Sequence, residues 1–308
     1  MLFPKKAVGV EICSEGIKMV LVEGRHNAFR LDAYTASSLP VDTIKFAFRE
    51  QNVLNPSQFV NGIKEAYLRL LTKTKRISVS LPDTMGRVVL LDIETRFKSR
   101  DEGADIIRWK LKKNFPFNIS DAHLDYQLLE EKDTGEISVL VSIIARQVVN
   151  QYEELFLEAG LEPNSIDFTT FNLYRLFSGR LSISENTAFV TFHAGVVTIL
   201  LFYAGILTFY RSKEIPGGTF EINRVYREIN SSLLVYQDMH PSHAINEVFC
   251  VATGEDAEEF RAIVAEATGQ DPILLDVSRV VSVKNGLTVD RATLHSFTAA
   301  LGAAIRNL

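Results

Sequence analysis

The apolar positions of the first forty residues follow the pattern of β-strands. Residues 7–13 and 17–24 are nearly continuous apolar runs, as in strands covered on both faces, whereas residues 29–37 alternate between apolar and polar. Short polar turns separate the three runs. Apolar residues then recur at helical spacing from Pro56 to Lys73, after an Asn-Pro-Ser sequence suited to a helix N-terminus. The pattern predicts three meandering strands that lead into a helix.

The second half of the chain repeats this order of elements. Residues 188–216 divide into three strand-like runs, and a helix with one apolar face is predicted from Thr219 to Met239. Glu11 and Thr191 hold matching places near the end of the first strand of each half. Because residue identity between the halves is slight, the pattern indicates an internal duplication of elements rather than of residues.

One stretch of the second half raises the possibility of a membrane span. Ala188 to Tyr210 runs for 23 residues without Lys, Arg, Asp or Glu, which is long enough to cross a bilayer. It is also rich in β-branched and aromatic residues, and His-Ala-Gly and Tyr-Ala-Gly interrupt it at places that favour turns. We therefore predict two successive hairpins of a buried sheet.

A unit of a different pattern lies between the two halves. Its predicted elements are strands at residues 76–81 and 87–93, a helix at 99–115, a hairpin at 124–146 and a helix at 147–159. Residues 161–168 are predicted to connect this unit to the second half. After the second copy we predict a strand and a helix within 245–269, a strand at 271–277 and a last helix at 292–308.

Composition narrows the class of protein. With 308 residues, 46% of them hydrophobic and 23% charged, the chain suits one large domain or two linked lobes. A net charge of -5 gives no electrostatic footprint for nucleic acid. The two cysteines, Cys13 and Cys250, are far apart and lack metal-ligand spacing, so no metal site is expected and a reducing compartment is indicated. The first ten residues are too short an apolar run for a signal peptide, which predicts a cytoplasmic protein.

The two matching hairpins have the arrangement that binds nucleotide phosphates in actin-like ATPases. In each half, a buried strand ends at a short turn and carries Glu11 or Thr191 near that end. Backbone N–H groups of such turns grip phosphates, and two acids hold Mg²⁺ through water. A third, glycine-rich turn lets the adenosine approach the backbone. The duplicated pattern therefore suggests a nucleotide site between the halves.

Several segments identify a family with this fold. "SVSLPDTMGRVVLLDI", "LDYQLLE", "SVLVSIIARQVVNQYEELFLEAGLEPNSIDF" and "ALGAAIRNL" resemble, in that order, the PilM proteins of type IV pilus assembly, whose relatives include FtsA. "IRWKLKKNFPF" is the sharpest marker, and the resemblance covers essentially the whole chain. It implies a duplicated α/β, actin-like (ribonuclease H-like) fold with two lobes around a cleft. The first lobe would span residues 1–168, with a small α+β subdomain inserted at about 82–160. The second lobe would span 169–308, its C-terminal helix packing back toward the cleft.

The implied nucleotide site departs from the family pattern. The first motif usually reads Asp-Ile-Gly-Ser, but here Glu11 replaces the acid and Cys13 the glycine, while Lys18 is retained. At the second motif Thr191 lacks a carboxylate and His193 fills a glycine place. Each charge-assisted contact that is lost costs about 1.5 to 3 kcal/mol, and about 1.4 kcal/mol is tenfold in affinity. The site is therefore predicted to be degenerate, with no cofactor; ATP and Mg²⁺ would bind only if it still works.

Two further departures from the family pattern, which would also weaken nucleotide binding, fall at the same site. The adenosine turn is reduced to "ATGEDA", with Gly254 alone, and Thr169 and Thr170 stand where relatives in the wider fold place an acidic residue before a proline. The predicted remnant of the nucleotide site comprises Glu11, Ser14, Gly16, Lys18, Thr191, His193, Gly195, Gly217, Gly218, Thr253, Gly254 and Glu255.

Several of these residues also have an ordinary structural interpretation. Glu11 could be a solvated acid at a strand end, and Lys18 could face solvent on the second strand. His193 could be a packing or turn histidine, because no acid lies near it in sequence to orient it. Gly217 and Gly218 suit any turn between a strand and a helix.

The resemblance implies a scaffold of the type IV pilus inner-membrane platform. Such a protein is peripheral at the membrane and captures the N-terminal cytoplasmic tail of a PilN-like membrane protein, with pilus motor ATPases as further candidate partners and an oligomer as a possible state. The family's groove lies between the first lobe and the inserted unit, so the candidate contacts are Arg108, Trp109, Phe115, Pro116 and Phe117. Trp109 and Phe117 could instead be core residues, and the basic cluster from Arg108 to Lys113 a solvated helix face.

Two alternatives belong to other classes. The chain could be an active Mg²⁺-dependent ATPase that uses Glu11, Ser14, Lys18 and Gly254. It could also be a GspL-like cytoplasmic domain of type II secretion, although no transmembrane segment follows it. A sugar kinase is disfavoured because no polar sugar-binding cluster stands out.

Overall fold

The computed structural model describes residues 5–25, 28–112, 115, 118–216, 218, 220–252 and 254–308, without the side chains of residues 25 and 255. The strands are β1 (Lys5–Cys13), β2 (Gly16–Arg25), β3 (Ala28–Ser38), β4 (Arg76–Leu81), β5 (Gly86–Ile93), β6 (Ala122–Glu131), β7 (Ile137–Ala145), β8 (Glu162–Phe168), β9 (Thr187–His193), β10 (Val196–Tyr203), β11 (Ile206–Glu214), β12 (Glu247–Ala252), β13 (Ile273–Leu274) and β14 (Val281–Val283). The helices are α1 (Pro56–Arg69), α2 (Arg100–Leu111), α3 (Arg146–Glu158), α4 (Thr169–Leu181), α5 (Ile222–Met239), α6 (Ala257–Thr268), α7 (Arg291–Ser296) and α8 (Thr298–Ile305).

Two sheets that share a five-strand topology form the two lobes. The first has the strand order β14-β3-β2-β1-β4-β8, with β14 as an extra strand parallel to β3, and the second has the order β11-β10-β9-β12-β13. In both, three antiparallel strands are extended by two parallel ones: β4 pairs with β1 and β8 with β4, and β12 pairs with β9 and β13 with β12. The predicted internal duplication is therefore confirmed at the level of strand order and direction.

Each sheet has its outer face covered by two helices. In the first lobe Val8, Val10 and Ile12 of β1 pack with residues of α1 and α3, such as Phe59 and Phe156. In the second lobe the alternate residues of β9 pack with α5 and α6. Because β1 and β9 are buried on both faces, they carry the near-continuous apolar runs seen in the sequence.

The inner faces of the two sheets share one core with α4 and α8 between them. Ala7 of β1 and Phe189 of β9 belong to this core, together with the alanine-rich α8. Close approach depends on glycine: a Cβ on Gly9 would lie 1.9 Å from the carbonyl oxygen of Ala300, and one on Gly302 would lie 2.0 Å from that of Asn172. The small residues of α8 thus let a helix fit between two sheets.

The inserted subdomain is a three-stranded antiparallel sheet with one covering helix. Its order is β5-β7-β6, and α2 packs on one face through Ile107 and Leu111. On the other face, Leu90, Leu129 and Leu140 point toward the core between the lobes. Among the described residues no strand pairs with the outer edge of β6.

Most predicted elements are present, with differences that have physical causes. Residues 188–210 form strands of the second sheet as predicted, and among the residues described no helix has the length and apolar character of a membrane span. The predicted last helix is two helices, because Phe297 leaves helical geometry at ψ 9°. Residues 162–168 form an edge strand rather than a plain connection, and α4 was not predicted. The predicted lobe boundary after residue 168 stays a prediction; β14 returns to the sheet of the first lobe, and α8 packs against β1.

Candidate functional site

The two hairpin turns that correspond in the duplicated sheets both need glycine. Gly16, after the turn at Ser14 and Glu15, has φ 137°, and a Cβ there would lie 2.2 Å from the carbonyl oxygen of Ser37. Ala194 and Gly195, between β9 and β10, both have positive φ, at 49° and 77°, which suits a two-residue hairpin. The turns are therefore tight and present the strand ends to the space between the lobes.

The strand period brings Glu11 and His193 face to face. Alternate residues of β1 point to the inner core, so Glu11 follows Ala7 and Gly9 on that face; His193 follows Phe189 on the inner face of β9 in the same way. Glu11 Oε1 lies 2.5 Å from His193 Nε2, although the residues are 182 positions apart. Only 1% of Glu11 and 6% of His193 is exposed. The interpretation of Glu11 as a solvated acid is wrong, and the acid that orients His193 comes from the other lobe.

The charges around this pair keep Glu11 ionised. Burial by itself would raise the pKa of Glu11, but the attraction and hydrogen bond of His193 and the charge of Lys18 outweigh it, and the pKa lies below its ordinary value. Lys18 is opposite Glu11 in the ladder between β1 and β2 and forms an ion pair with Glu15 at 3.7 Å. Burial lowers and Glu11 raises the pKa of Lys18, and the net direction is upward. Lys18 is thus a partly buried cation beside the pair.

Cys13 closes the turn from inside. Its Sγ lies 3.5 Å from the carbonyl oxygen of Gly16, and the side chain is buried. Burial, together with the charge of Glu11, raises the pKa of the Cys13 thiol to about 11. The side chain is therefore a neutral thiol where the family pattern usually has a glycine.

Asp83 is a further charged residue of this site, which the sequence analysis missed. Its carboxylate accepts the Thr170 backbone N–H at 3.2 Å and the Tyr210 hydroxyl at 3.3 Å, and so joins the start of α4 to the second lobe. Burial raises the pKa of Asp83 to about 6, although those hydrogen bonds and the charge of His193 act in the opposite direction. The sequence did contain a signal for this residue. Asp83 follows β4, which runs parallel to β1, so its position at the same sheet edge as Glu11 could have been inferred.

The other predicted nucleotide-site residues are distributed around the same turns. Ser14 is exposed in the first turn, and Thr191 is buried two residues before His193. Gly195 packs against Gly218, since a Cβ on Gly195 would lie 2.7 Å from the Gly218 Cα. Gly254 has φ 82° and begins the turn before α6. Gly217 and Thr253 lie outside the described residues, and so does the side chain of Glu255.

A cavity of about 1160 Å³ lies between the inserted subdomain and the second lobe. Its walls come from β6, β7, α4 and the β10–β11 hairpin. Its apolar lining includes Leu129, Leu140, Phe171, Tyr174, Phe202 and Leu207. Charged residues of the lining form ion pairs: Arg175 with Asp167 at 3.0 Å, Arg306 with Asp167, and Arg100 with Asp125. The cavity is thus lined by both apolar side chains and ion-paired charged ones.

A smaller groove of about 340 Å³ runs beside β6 on the side of α2. Arg100, Asp125 and Tyr126 line both spaces, so the outer edge of β6 lies between them. The edge of β6 is therefore accessible from two sides. Arg108 also lines the smaller groove.

The remaining predicted partner contacts lie near the C-terminal end of α2. Trp109 is 76% exposed, so it is not a core residue. The ring of Phe115 lies 6.5 Å from that of Phe48 in the first lobe, and the guanidinium of Arg87 lies over Phe48. Pro116 and Phe117 lie outside the described residues. The structure thus brings Arg108 to the β6 groove and Phe115 to the boundary between first lobe and insert.

The fold has counterparts among solved structures. A structure described as a PilM-PilN type IV pilus biogenesis complex is 18% identical, covers 97% of this chain and 98% of that chain, and has a TM-score of 0.81. A protein with an actin-like ATPase fold and unknown function from Bacteroides thetaiotaomicron is 13% identical, with 96% and 95% coverage and a TM-score of 0.51. The cytoplasmic domain of EpsL, an inner membrane component of the type II secretion system of Vibrio cholerae, is 8% identical, with 96% and 94% coverage and a TM-score of 0.50. These likenesses show an actin-like fold.

Sequence comparison gives the family. No curated protein matches the chain significantly. The family profile described as "Type IV pilus assembly protein PilM" matches residues 9–226, well over half of the chain and both hairpins that form the site. Together with the duplicated sheets, this match shows that the chain belongs to the PilM family of type IV pilus assembly proteins.

Proposed function

We propose that this protein is a cytoplasmic scaffold of the type IV pilus inner-membrane platform that binds the N-terminal tail of a PilN-like membrane protein and does not use nucleotide. The observation that carries the proposal is the open edge of β6, which lies between the large cavity and the smaller groove. The structural counterpart described as a PilM-PilN complex supports a partner of this class.

An extended tail fits the edge of β6 for a geometric reason. A strand at a sheet edge has unpaired N–H and C=O groups, and an added strand pairs with them. Side chains of the added strand alternate between two directions. At β6 one direction leads into the large cavity and the other into the groove beside Arg108. Main-chain pairing would supply affinity, and the two grooves would supply specificity.

The residues near the α2 end extend this proposed binding surface. Trp109 follows Arg108 on α2 and is largely exposed, as a residue that is covered only in a complex would be. Phe115 contacts the first lobe beside Phe48. We assign the tail's main contact to the β6 edge and an additional contact to Trp109 and Phe115.

The state of the nucleotide site supports a scaffold over an ATPase. Glu11 is bound to His193, and Cys13 fills the first turn. Thr191 offers no carboxylate to a metal ion. Asp83 is the observation that favours the rival, an active ATPase, because it adds an acid at the same sheet edge. That acid is held by Thr170 and Tyr210, which leaves the scaffold as the better-supported function.

A synthetic peptide with the N-terminal sequence of a PilN-like protein tests the tail site. Ile206→Glu places a charge in the cavity wall and should abolish binding measured by calorimetry, since a buried unpaired charge is costly. Ile183→Glu changes an exposed residue outside the cavity and serves as the matched control, with unchanged affinity. Trp109→Ala should weaken binding. If Ile206→Glu folds and binds the peptide as wild type does, the β6 site is wrong.

A further inference from the structure

The Glu11–His193 contact joins the lobes beside the two corresponding hairpin turns. Glu11 is two residues from the end of β1, and His193 is the last residue of β9. The strands belong to different sheets, so the hydrogen bond crosses from one lobe to the other. The contact joins the lobes at the C-terminal ends of β1 and β9, outside the shared apolar core.

Within the described residues, each member of the pair has its side-chain hydrogen bond from the other alone. Glu11 Oε2 and His193 Nδ1 are buried without a hydrogen-bond partner in the part of the chain that the structure describes. Removing one partner would leave the other buried and unpaired, which is strongly destabilising. The bond therefore favours the arrangement of the lobes in which both side chains are buried.

Two other hydrogen bonds lie nearby. The Tyr210 hydroxyl donates to Asp83 at 3.3 Å, and the Thr170 hydroxyl at the start of α4 donates to that of Thr198 at 3.1 Å. Both involve the start of α4 or the turn before it, which lies between the sheets. They position the second lobe on α4, whereas Glu11 and His193 connect the two sheets directly.

Strand β10, which follows His193, connects this contact to the cavity between the inserted subdomain and the second lobe, where we propose that the tail binds. β10 begins at Val196, three residues after His193, and reaches the cavity wall at Leu200 and Phe202. The opposite wall belongs to the inserted subdomain. A change in the distance between the lobes at His193 would therefore move one wall of the cavity relative to the other.

We infer that Glu11 and His193 form an inter-lobe latch that holds the lobes closed without nucleotide and so keeps the tail cavity in its binding shape. Glu11 and His193 are positioning residues, since neither lines the cavity. The inference rests on the proposed function, because it assigns regulation of the cavity to residues of the proposed degenerate nucleotide site.

Spin labels on the two lobes test the latch directly. Lys64→Cys on α1 and Ala262→Cys on α6 are exposed positions for labels, and the native Cys13 and Cys250 are buried. The wild-type background should give one narrow distance. His193→Leu should widen the distribution toward longer distances, whereas His193→Gln, which keeps an N–H donor, should restore a narrow one.

A second histidine pair provides the control. His295 Nε2 lies 2.9 Å from Asp276 in a pair within the C-terminal part of the chain, so His295→Leu should leave the inter-lobe distance unchanged. If His193→Leu does not fold, Glu11→Leu/His193→Leu, which has no unpaired buried charge, replaces it and should show the wider distribution. A wild-type distribution in the folded variant overturns the latch.

Peptide affinity then tests the connection to the cavity. If the closed arrangement falls to about a tenth of the population in His193→Leu, the apparent Kd of the tail peptide should rise about tenfold. Wider distances with unchanged Kd would overturn the link to the cavity. Failure of the wild type to bind any peptide would contradict the proposed function instead, and the distance measurement would still decide the latch.

Discussion

The identity of residue 11 determines what the first turn can do. Glutamate extends one methylene further than the aspartate usual in the family, and here its carboxylate lies 2.5 Å from His193. The sequence placed both replacements at one predicted site, yet their direct pairing could not be predicted, because it depends on how closely the two lobes pack. Asp83 was predictable in principle from the parallel register of β1 and β4. Its partners Thr170 and Tyr210 were not, since tertiary packing brings them together.

Replacement of Glu11 should show the cost of an unpaired buried group. Glu11→Ala is expected to lower the free energy of unfolding by about 3 to 5 kcal/mol, because His193 loses its described partner. Glu11→Leu/His193→Leu should recover most of that loss, since no polar group is then left unpaired. Urea unfolding of both variants measures these changes in the free energy of unfolding. A loss below about 1 kcal/mol in Glu11→Ala would contradict this burial argument.

Asp83 should give the protein a distinct pH dependence. Its pKa of about 6 in the folded state lies above its ordinary value of 3.8, so its stabilising contribution is complete below pH 3.8 and is lost as pH rises through about 6. Asp83→Asn is neutral at every pH. The melting temperature of Asp83→Asn relative to wild type should therefore increase from pH 5 to pH 7, whereas a constant difference would mean an ordinary pKa.

At the scale of elements, the periodicity of the sequence predicted the exposed helices and the meandering strands. It missed α4, although the buried residues Leu173, Leu176, Phe177 and Leu181 recur at helical spacing; polar residues such as Thr169, Thr170 and Asn172 are buried in the same helix and obscure the pattern. It also gave one helix where α7 and α8 are two. The predicted hairpins in residues 188–210 were confirmed, because turn sequences outweighed the length of the apolar run.

The close packing of α8 predicts the effect of adding one methyl group. In Gly9→Ala the new Cβ would lie 1.9 Å from the Ala300 carbonyl oxygen, so we expect a loss of about 2 kcal/mol or more in the free energy of unfolding. Gly179→Ala is the matched control in α4, where a Cβ meets nothing within 4 Å, and should stabilise by about 0.5 to 1 kcal/mol. Denaturant unfolding compares the two. Equal effects would mean that the space beside Gly9 is not limiting.

At the scale of the whole molecule, the Glu11–His193 contact and the cavity beside β6 occupy different places in the fold. The family match and the duplicated sheets give the actin-like fold, which the motifs of the sequence had predicted. The cavity beside β6 could not be predicted from the sequence, because it depends on how the inserted sheet sits against the β10–β11 hairpin. The inter-lobe contact of Glu11 with His193 and the open edge of β6 together favour a partner-binding role.

The most direct test is calorimetric titration of the full chain with a PilN-like N-terminal peptide, in the absence and in the presence of millimolar Mg-ATP. A nucleotide-independent scaffold should bind the peptide with the same affinity in both, and the protein alone should release no heat of binding with Mg-ATP. Peptide binding that requires Mg-ATP, or micromolar binding of ATP that Glu11→Ala abolishes, would contradict the account.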